Sequence, residues 1–276
     1  MRVSEWGRLA AITLLSLLTA CGDGSGSSEP AFLVEASTLA YSKKAEFTIS
    51  GSSLAQVGRV TIGKCSGLTL EASSSPTQKV ISCTVSGTGA TQVDLKDSAD
   101  RVLFSQPFAI PEPRVSFSTN LGNLLVELNP TAAPLTVNNF LAYVNSGFYT
   151  NTLIHRVLAG SVAQGGWLTS APAEQTGLRD PIALESTNGL SNVRGAIGMA
   201  RTAEPNSATS QFFFNLADNL WLNYVSETRP GYAVFGKVLQ GLDVMDAIGA
   251  VQTGVRYGLS DCPLTDVVIL KVEQVQ

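Results

Sequence analysis

The 276-residue chain contains a single histidine, His155. That scarcity excludes multi-histidine zinc sites and any HExxH helix, and it leaves one imidazole as the only side chain of its kind for proton transfer. Charged residues make up 14% of the chain, against about 25% in ordinary soluble domains. Eighteen Lys and Arg against 22 Asp and Glu give a net charge of −4 with no basic run. Nothing here would release phosphate counterions, so nucleic acid is not an expected partner. No metal or cofactor is expected either. Only four cysteines occur, Cys21, Cys65, Cys83 and Cys262. The apolar share of 44% is enough for buried cores and argues against wholesale disorder, and the length suits two domains.

The longest apolar run, Leu9 to Leu18, follows Arg2 and Arg8 and ends at Thr19-Ala20-Cys21. It is about half of what a bilayer-spanning helix needs, and so reads as the apolar region of a signal peptide over residues 1–20. Leu18-Thr19-Ala20-Cys21 resembles the lipobox of bacterial lipoproteins, which implies cleavage before Cys21 and acylation of its thiol. Residues 21–30, with the sequence GDGSGSSEP after the cysteine, then form a flexible tether. Removing Arg2, Arg8 and Glu5 moves the net charge to −5, so the lipid and not a basic patch would supply the membrane anchor. By the same resemblance Gly22 after the cysteine implies the outer membrane, with the protein facing the periplasm. In that oxidising compartment Cys65 and Cys83, on adjacent strand-like segments, are a candidate disulfide worth about 3 kcal/mol. Two separately buried thiols are the alternative. Cys262 has no evident partner and reads as packed.

From Ala31 to Ile110 the chain is a series of seven short alternating segments: FLVEAST, AEFTIS, GRVTIGKC, LTLEAS, KVISCTV, TQVDLKD and RVLFSQPFAI. Turn residues separate them and no helical period appears, which predicts an antiparallel β-sandwich over 31–110. FTISGSSLAQVGRVTIGKC resembles an immunoglobulin-like or TIG-type bacterial module, with no cluster of reactive side chains; a spacer or a surface for a protein partner is the expectation. Pro111 and Pro113 mark the boundary. Residues 111–276 open with a hairpin turning at Asn120–Asn123. A helix follows from Leu135 to Asn145, where Val137, Phe140, Leu141 and Val144 make one stripe. Strands are expected at LIHRVL, SVAQGG, GAIGMA, SQFFFNL, YAVFGKVL and VVILKVEQV, with a short helix over LDVMDAIGAV. Strand-dominated order with two helices predicts a mostly β protein whose second domain is a closed antiparallel barrel capped by helices.

Three strings carry the chemistry: Ile154-His155-Arg156-Val157-Leu158 with Gln164-Gly165-Gly166; Gly198-Met199-Ala200-Arg201; and Ser210-Gln211-Phe212-Phe213-Phe214, followed by Trp221-Leu222 and Gly231-Tyr232-Ala233-Val234-Phe235-Gly236. In this order and spacing they resemble the cyclophilin family of peptidyl-prolyl isomerases, most closely its bacterial periplasmic branch, over about Arg114 to Gln276. The resemblance implies an eight-stranded barrel and rotation about X-Pro bonds in exported proteins, proline-containing polypeptides being the clients. It implies Arg156 as the catalytic donor, Gln164 as the residue that holds the substrate carbonyl or orients the guanidinium, and Gln211 as the family's second glutamine. Phe213 and Leu222 would form the proline pocket, with Trp221 and Tyr232 at its edge. Ala200, Arg201 and Thr202 match the stretch whose backbone pairs with the peptide.

Each of these residues has a plainer reading, arginine on a strand being ordinarily a surface ion-pair partner and phenylalanine ordinarily core. His155 precedes Arg156 on a strand, so alternation points it away from the pocket and makes it structural. The sequence departs from the family where most active members carry Pro-Gly-Phe-Met. It has Ala159-Gly160-Ser161-Val162 there, so Ser161 and Val162 would line a roomier and more polar site, with Trp167 a candidate to refill it. The alternative function is a cyclophilin-fold peptide-binding chaperone or scaffold lipoprotein with little isomerase activity.

Overall fold

The computed structural model describes residues 31–170 and 173–276. Seven strands make the first unit: β1 (Leu33–Ala36), β2 (Lys44–Ser50), β3 (Arg59–Ile62), β4 (Cys65–Leu70), β5 (Gln78–Val85), β6 (Gly89–Lys96) and β7 (Val102–Ile110). They form one antiparallel sheet in the order β1-β2-β5-β4 and another in the order β3-β6-β7. Alternation decides what faces inward. In β2, Ala45, Phe47 and Ile49 are buried; in β6, Val93 and Leu95 are. Side chains of both sheets share one buried cluster, the condition for a sandwich. Cys65 and Cys83 are bonded across the β4–β5 pair. Cys262, in the second unit, is a buried free thiol whose pKa is raised by burial.

The second unit contains β8 (Arg114–Thr119), β9 (Gly122–Leu128), α1 (Pro134–Asn145), β10 (Thr152–Leu158), β11 (Val162–Thr169), β12 (Ala196–Met199), β13 (Phe212–Asn215), β14 (Val234–Gln240), α2 (Leu242–Gly249), β15 (Thr253–Arg256), β16 (Leu259–Pro263) and β17 (Val268–Gln274). Eight of the strands close into an antiparallel barrel in the order β10-β11-β13-β12-β14-β9-β8-β17. Closure leaves no barrel edge to aggregate. The interior is aromatic: Phe117 meets Phe212 and Phe214 edge-on, each with ring centroids 5.4 Å apart. From α1, Phe140 packs on Phe117, Phe212 and Phe235, so the helix plugs one end. Pro134 begins α1 at a position that needs no N–H donor. Glu185 accepts hydrogen bonds from the N–H groups of Leu135 (3.0 Å) and Thr136 (2.8 Å), placing a carboxylate at the positive end of the helix. The helix stops at Gly147, whose φ of 74° is left-handed.

Two features depart from expectation. Residues 253–263, with no strand assigned from sequence, form the β15–β16 hairpin, and this hairpin lies beside β10. The sandwich also docks on the barrel: Tyr41 is buried within the barrel's apolar cluster. Its hydroxyl donates to Asn138 Oδ1 (2.8 Å), and its carbonyl accepts from Gln274 Nε2 (2.9 Å). Among the described residues no helix is long and apolar enough to cross a membrane.

Candidate active site

β13 reads Phe212-Phe213-Phe214-Asn215, and its alternation sends Phe212 and Phe214 into the barrel. Phe213 therefore points outward. The register puts Phe213 opposite Gln164 on one side and Gly198 on the other, and Gln164 opposite Arg156. A row of four residues thus crosses β10, β11, β13 and β12 on the outer wall of the barrel. Gly198 is required there, because a Cβ at this position would lie 2.4 Å from Cζ of Phe213. The missing side chain is the seat for the phenyl ring.

Over this row opens a cavity of about 450 Å³, a size typical of small-ligand sites. Its apolar floor is a buried cluster of Val162, Ala200, Phe213 and Leu222, with Leu158 and Tyr232 packed against it. Tyr232 meets Phe213 edge-on at 5.7 Å. Trp221 stands at the rim, 66% exposed. Ser161 also lines the cavity; its hydroxyl bonds to Asn219 Oδ1 (3.3 Å) and its carbonyl accepts from Asn219 Nδ2 (2.9 Å). Trp167 lines the same cavity, half-buried, from β11 beyond Gly165 and Gly166.

The polar wall is a chain of side chains. Nη1 of Arg156 donates to Gln164 Oε1 (3.4 Å), and Gln164 Nε2 donates to Gln211 Oε1 (2.9 Å). Both ends of the Gln164 amide are thus engaged within the protein. Arg201 spans three carbonyls, those of Gly231 (2.7 Å), Thr202 (2.9 Å) and Ala203 (3.4 Å), and covers the Tyr232 ring with its carbon 4.7 Å from the centroid. Its side chain clamps the loop. Thr202 lies outside the main cavity, on an adjoining one of about 220 Å³ shared with Gln164, Arg201 and Gln211. The N–H groups of Ala200 and Thr202 are already taken, by the Gln211 carbonyl and the Ser207 hydroxyl. Of the three N–H groups in that stretch, only that of Arg201 has no partner among the described residues.

His155 needs a correction. Alternation turned it from the pocket, yet it contributes to the cavity wall with its ring edge-on to Trp167 at 5.4 Å. The reason is a β-bulge: Ile154 pairs with Gly165 and Arg156 with Gln164, so two residues of β10 oppose one step of β11 and the alternation is broken at His155. The imidazole is 2% exposed and its Nδ1 has no partner among the described residues. Burial, with the Arg156 charge adding to it, pushes its pKa down to about 4 against a backbone hydrogen bond at Leu153. It is a neutral wall element at pH 7.

Sequence reasoning missed Asp261. Its Oδ2 lies 3.5 Å from Nε of Arg156, so the arginine does have the acidic partner expected of a surface arginine while also lining the cavity. Asp261 and the neighbouring wall residue Leu259 come from the unassigned hairpin. The signal available was a Tyr257-Gly258 turn between short alternating runs. Among the described residues no group of three His, Cys, Asp or Glu side chains is arranged to hold a metal ion.

Comparison with known proteins gives this geometry its context. The family profile described as cyclophilin type peptidyl-prolyl cis-trans isomerase/CLD matches residues 114–274. Peptidyl-prolyl cis-trans isomerase cyp18 of Streptomyces antibioticus is 48% identical over 157 residues, which is 56% of this chain and 94% of that protein. Peptidyl-prolyl cis-trans isomerase B of Escherichia coli is 45% identical over 161 residues, 57% of this chain and 97% of that protein. A crystal structure of a cyclophilin type peptidyl-prolyl cis-trans isomerase from Cryptosporidium parvum superposes with a TM-score of 0.50 at 25% identity, covering 60% of this chain and 99% of that one. The family profile spans the barrel and the strands that carry the row Arg156, Gln164, Phe213 and Gly198, and the chain belongs to the cyclophilin-type peptidyl-prolyl cis-trans isomerase family.

Proposed function

We propose that Arg156 is the catalytic donor of this isomerase and that Val162, Phe213 and Leu222 bind the substrate proline ring. Rotation about an X-Pro bond must cross a barrier of about 20 kcal/mol, because amide resonance is lost as the bond twists. The twisted nitrogen regains a lone pair that the planar amide lacks. A donor that bonds it acts on the transition state more than on the ground state, which is the condition for acceleration. An arginine stays charged and offers planar, rigid donors. The observation that carries the reading is that Nε and Nη1 of Arg156 face Asp261 and Gln164, while Nη2 makes no hydrogen bond among the described residues and the residue lines the cavity above the apolar floor. Gln164 and Gln211 keep the fork in place. Trp221, Tyr232 and Ser161 shape the rim, and in the stretch Ala200–Thr202 the N–H of Arg201 is the one offered to the peptide.

The test is an X-Pro isomerisation assay on the full chain and on Arg156→Ala. One preorganised donor is worth about 3 to 4 kcal/mol, so the variant should lose about 10²- to 10³-fold in kcat/KM. Equal rates in the two proteins would remove Arg156 from the chemistry, and rates near background in both would favour the peptide-binding alternative.

The biological setting proposed is the bacterial envelope. Residues 1–20 would act as a signal peptide and Cys21 as the acylated anchor in the outer membrane, both lying outside the described residues. Residues 31–110 would hold the isomerase domain, 111–276, off the membrane or engage a protein partner, and the clients would be exported proteins containing proline. The lipobox spelling, the Gly/Ser tether and the Cys65–Cys83 bond support this setting.

A further inference from the structure

The guanidinium of Arg156 sits on a side chain that is 41% exposed. Such a side chain has many rotamers in water, and a donor that wanders contributes little to a transition state. Its link to Gln164, at 3.4 Å, is long for a hydrogen bond. The second restraint comes from outside the barrel. Asp261 stands on β16, where Leu259 and Asp261, two residues apart, share a face of the strand and reach the cavity wall and Arg156 respectively. The hairpin is itself held. Arg256 Nη1 donates to Asp266 Oδ1 (2.7 Å) and to the Pro263 carbonyl (2.6 Å), and Ser260 Oγ donates to Asp261 Oδ2 (3.3 Å). With Nε facing Asp261 and Nη1 facing Gln164, two sides of the planar fork are defined, and the plane and the position of Nη2 follow.

We propose that Asp261 is a positioning residue for the isomerisation: through Nε it fixes the Arg156 fork so that Nη2 is the donor presented to the bound proline nitrogen. This rests on Arg156 being the donor. The carboxylate removes orientational freedom without removing the donor, since a guanidinium is not deprotonated in proteins. Half-exposed ion pairs are worth little as stabilisers, so the contribution of Asp261 lies in the geometry of Arg156 and not in holding the fold.

The experiment measures kcat and KM on the full chain for Asp261→Ala, Asp261→Asn, Arg156→Ala and the Arg156→Ala/Asp261→Ala double variant, at low and high salt, with circular dichroism and thermal unfolding as controls. Asp261→Ala should lower kcat about five- to tenfold with KM within about twofold and an unchanged melting temperature. Asp261→Asn, which keeps an acceptor at the same place, should recover part of the loss. High salt should slow the wild type but not Asp261→Ala, because it screens the pair. Asp261→Ala should have no effect once Arg156 is gone. Wild-type kcat in Asp261→Ala beside an impaired Arg156→Ala would overturn the proposal alone, as would an equal loss with and without Arg156. Wild-type rates in Arg156→Ala would sink the donor reading, and this proposal with it.

Discussion

Lowering the pH should destabilise this protein through one identifiable imidazole. His155 is the only histidine in the chain, so no other imidazole contributes. Its native pKa is about 4 against an ordinary value of 6.5, with burial as the main cause. Between those values the unfolded chain binds a proton that the native state refuses. The unfolded state therefore gains as pH falls: stability is highest above pH 6.5, declines through the window from 6.5 to 4, and levels off below it. At 1.36 kcal/mol for each pH unit, the full excursion is about 3 kcal/mol, a large part of the 5 to 15 kcal/mol that holds a typical domain. Carboxylates also titrate near the lower end, so the measurement is a difference. Urea unfolding of wild type and His155→Gln is followed from pH 4 to 8, and the stability gap between them should change by about 3 kcal/mol across the window. The wild-type imidazole resonances in NMR supply an independent readout. Parallel stability curves, or a native imidazole that titrates above pH 5.5, would refute the reasoning. Because the imidazole is already neutral at pH 7, isomerase activity should stay flat from pH 6 to 8.

Two further outcomes follow from particular contacts. Gly198→Ala places a methyl 2.4 Å from Phe213 Cζ, and the open space beside the ring is the cavity itself; overpacking should cost about 1 to 3 kcal/mol in unfolding experiments, and activity should fall more steeply than stability as the displaced ring fills the proline site. Fatty-acid labelling in cells of the wild type and Cys21→Ser tests the anchor: label and membrane association in the wild type and neither in the variant are expected, and equal labelling would discard Cys21 as the acylated residue.

Much of the site was legible because its residues sit on strands with a strict period of two. Once β13 is a strand, Phe212 and Phe214 must share one face and Phe213 the other, and the row Arg156, Gln164, Phe213 follows from antiparallel pairing. The helix was legible over Leu135–Asn145 for the same kind of reason, an apolar stripe that stops before a glycine, and the structure begins it one residue earlier at Pro134. His155 was misplaced because a bulge belongs to the pairing of two strands; nothing in Ile154-His155-Arg156 distinguishes it from regular alternation. Asp261 was missed because its strands are short and half-polar, and because its partner lies far away in the chain. Tyr41 reads from sequence as one aromatic among turn residues, and its burial against α1 is decided by how two cores meet.

By itself, then, the sequence determined what depends on near neighbours in the chain: most of the strands, both helices, and a family pattern strong enough to imply one arginine and an apolar pocket. Only the tertiary structure decided how that arginine is held, with Gln164 from the next strand on one side and Asp261 from a distant hairpin on the other, beside an imidazole turned into the wall by a bulge. Orientation of a side chain is a long-range property. It is settled when barrel closure brings β10, β11 and the β15–β16 hairpin together, and no local preference encodes it.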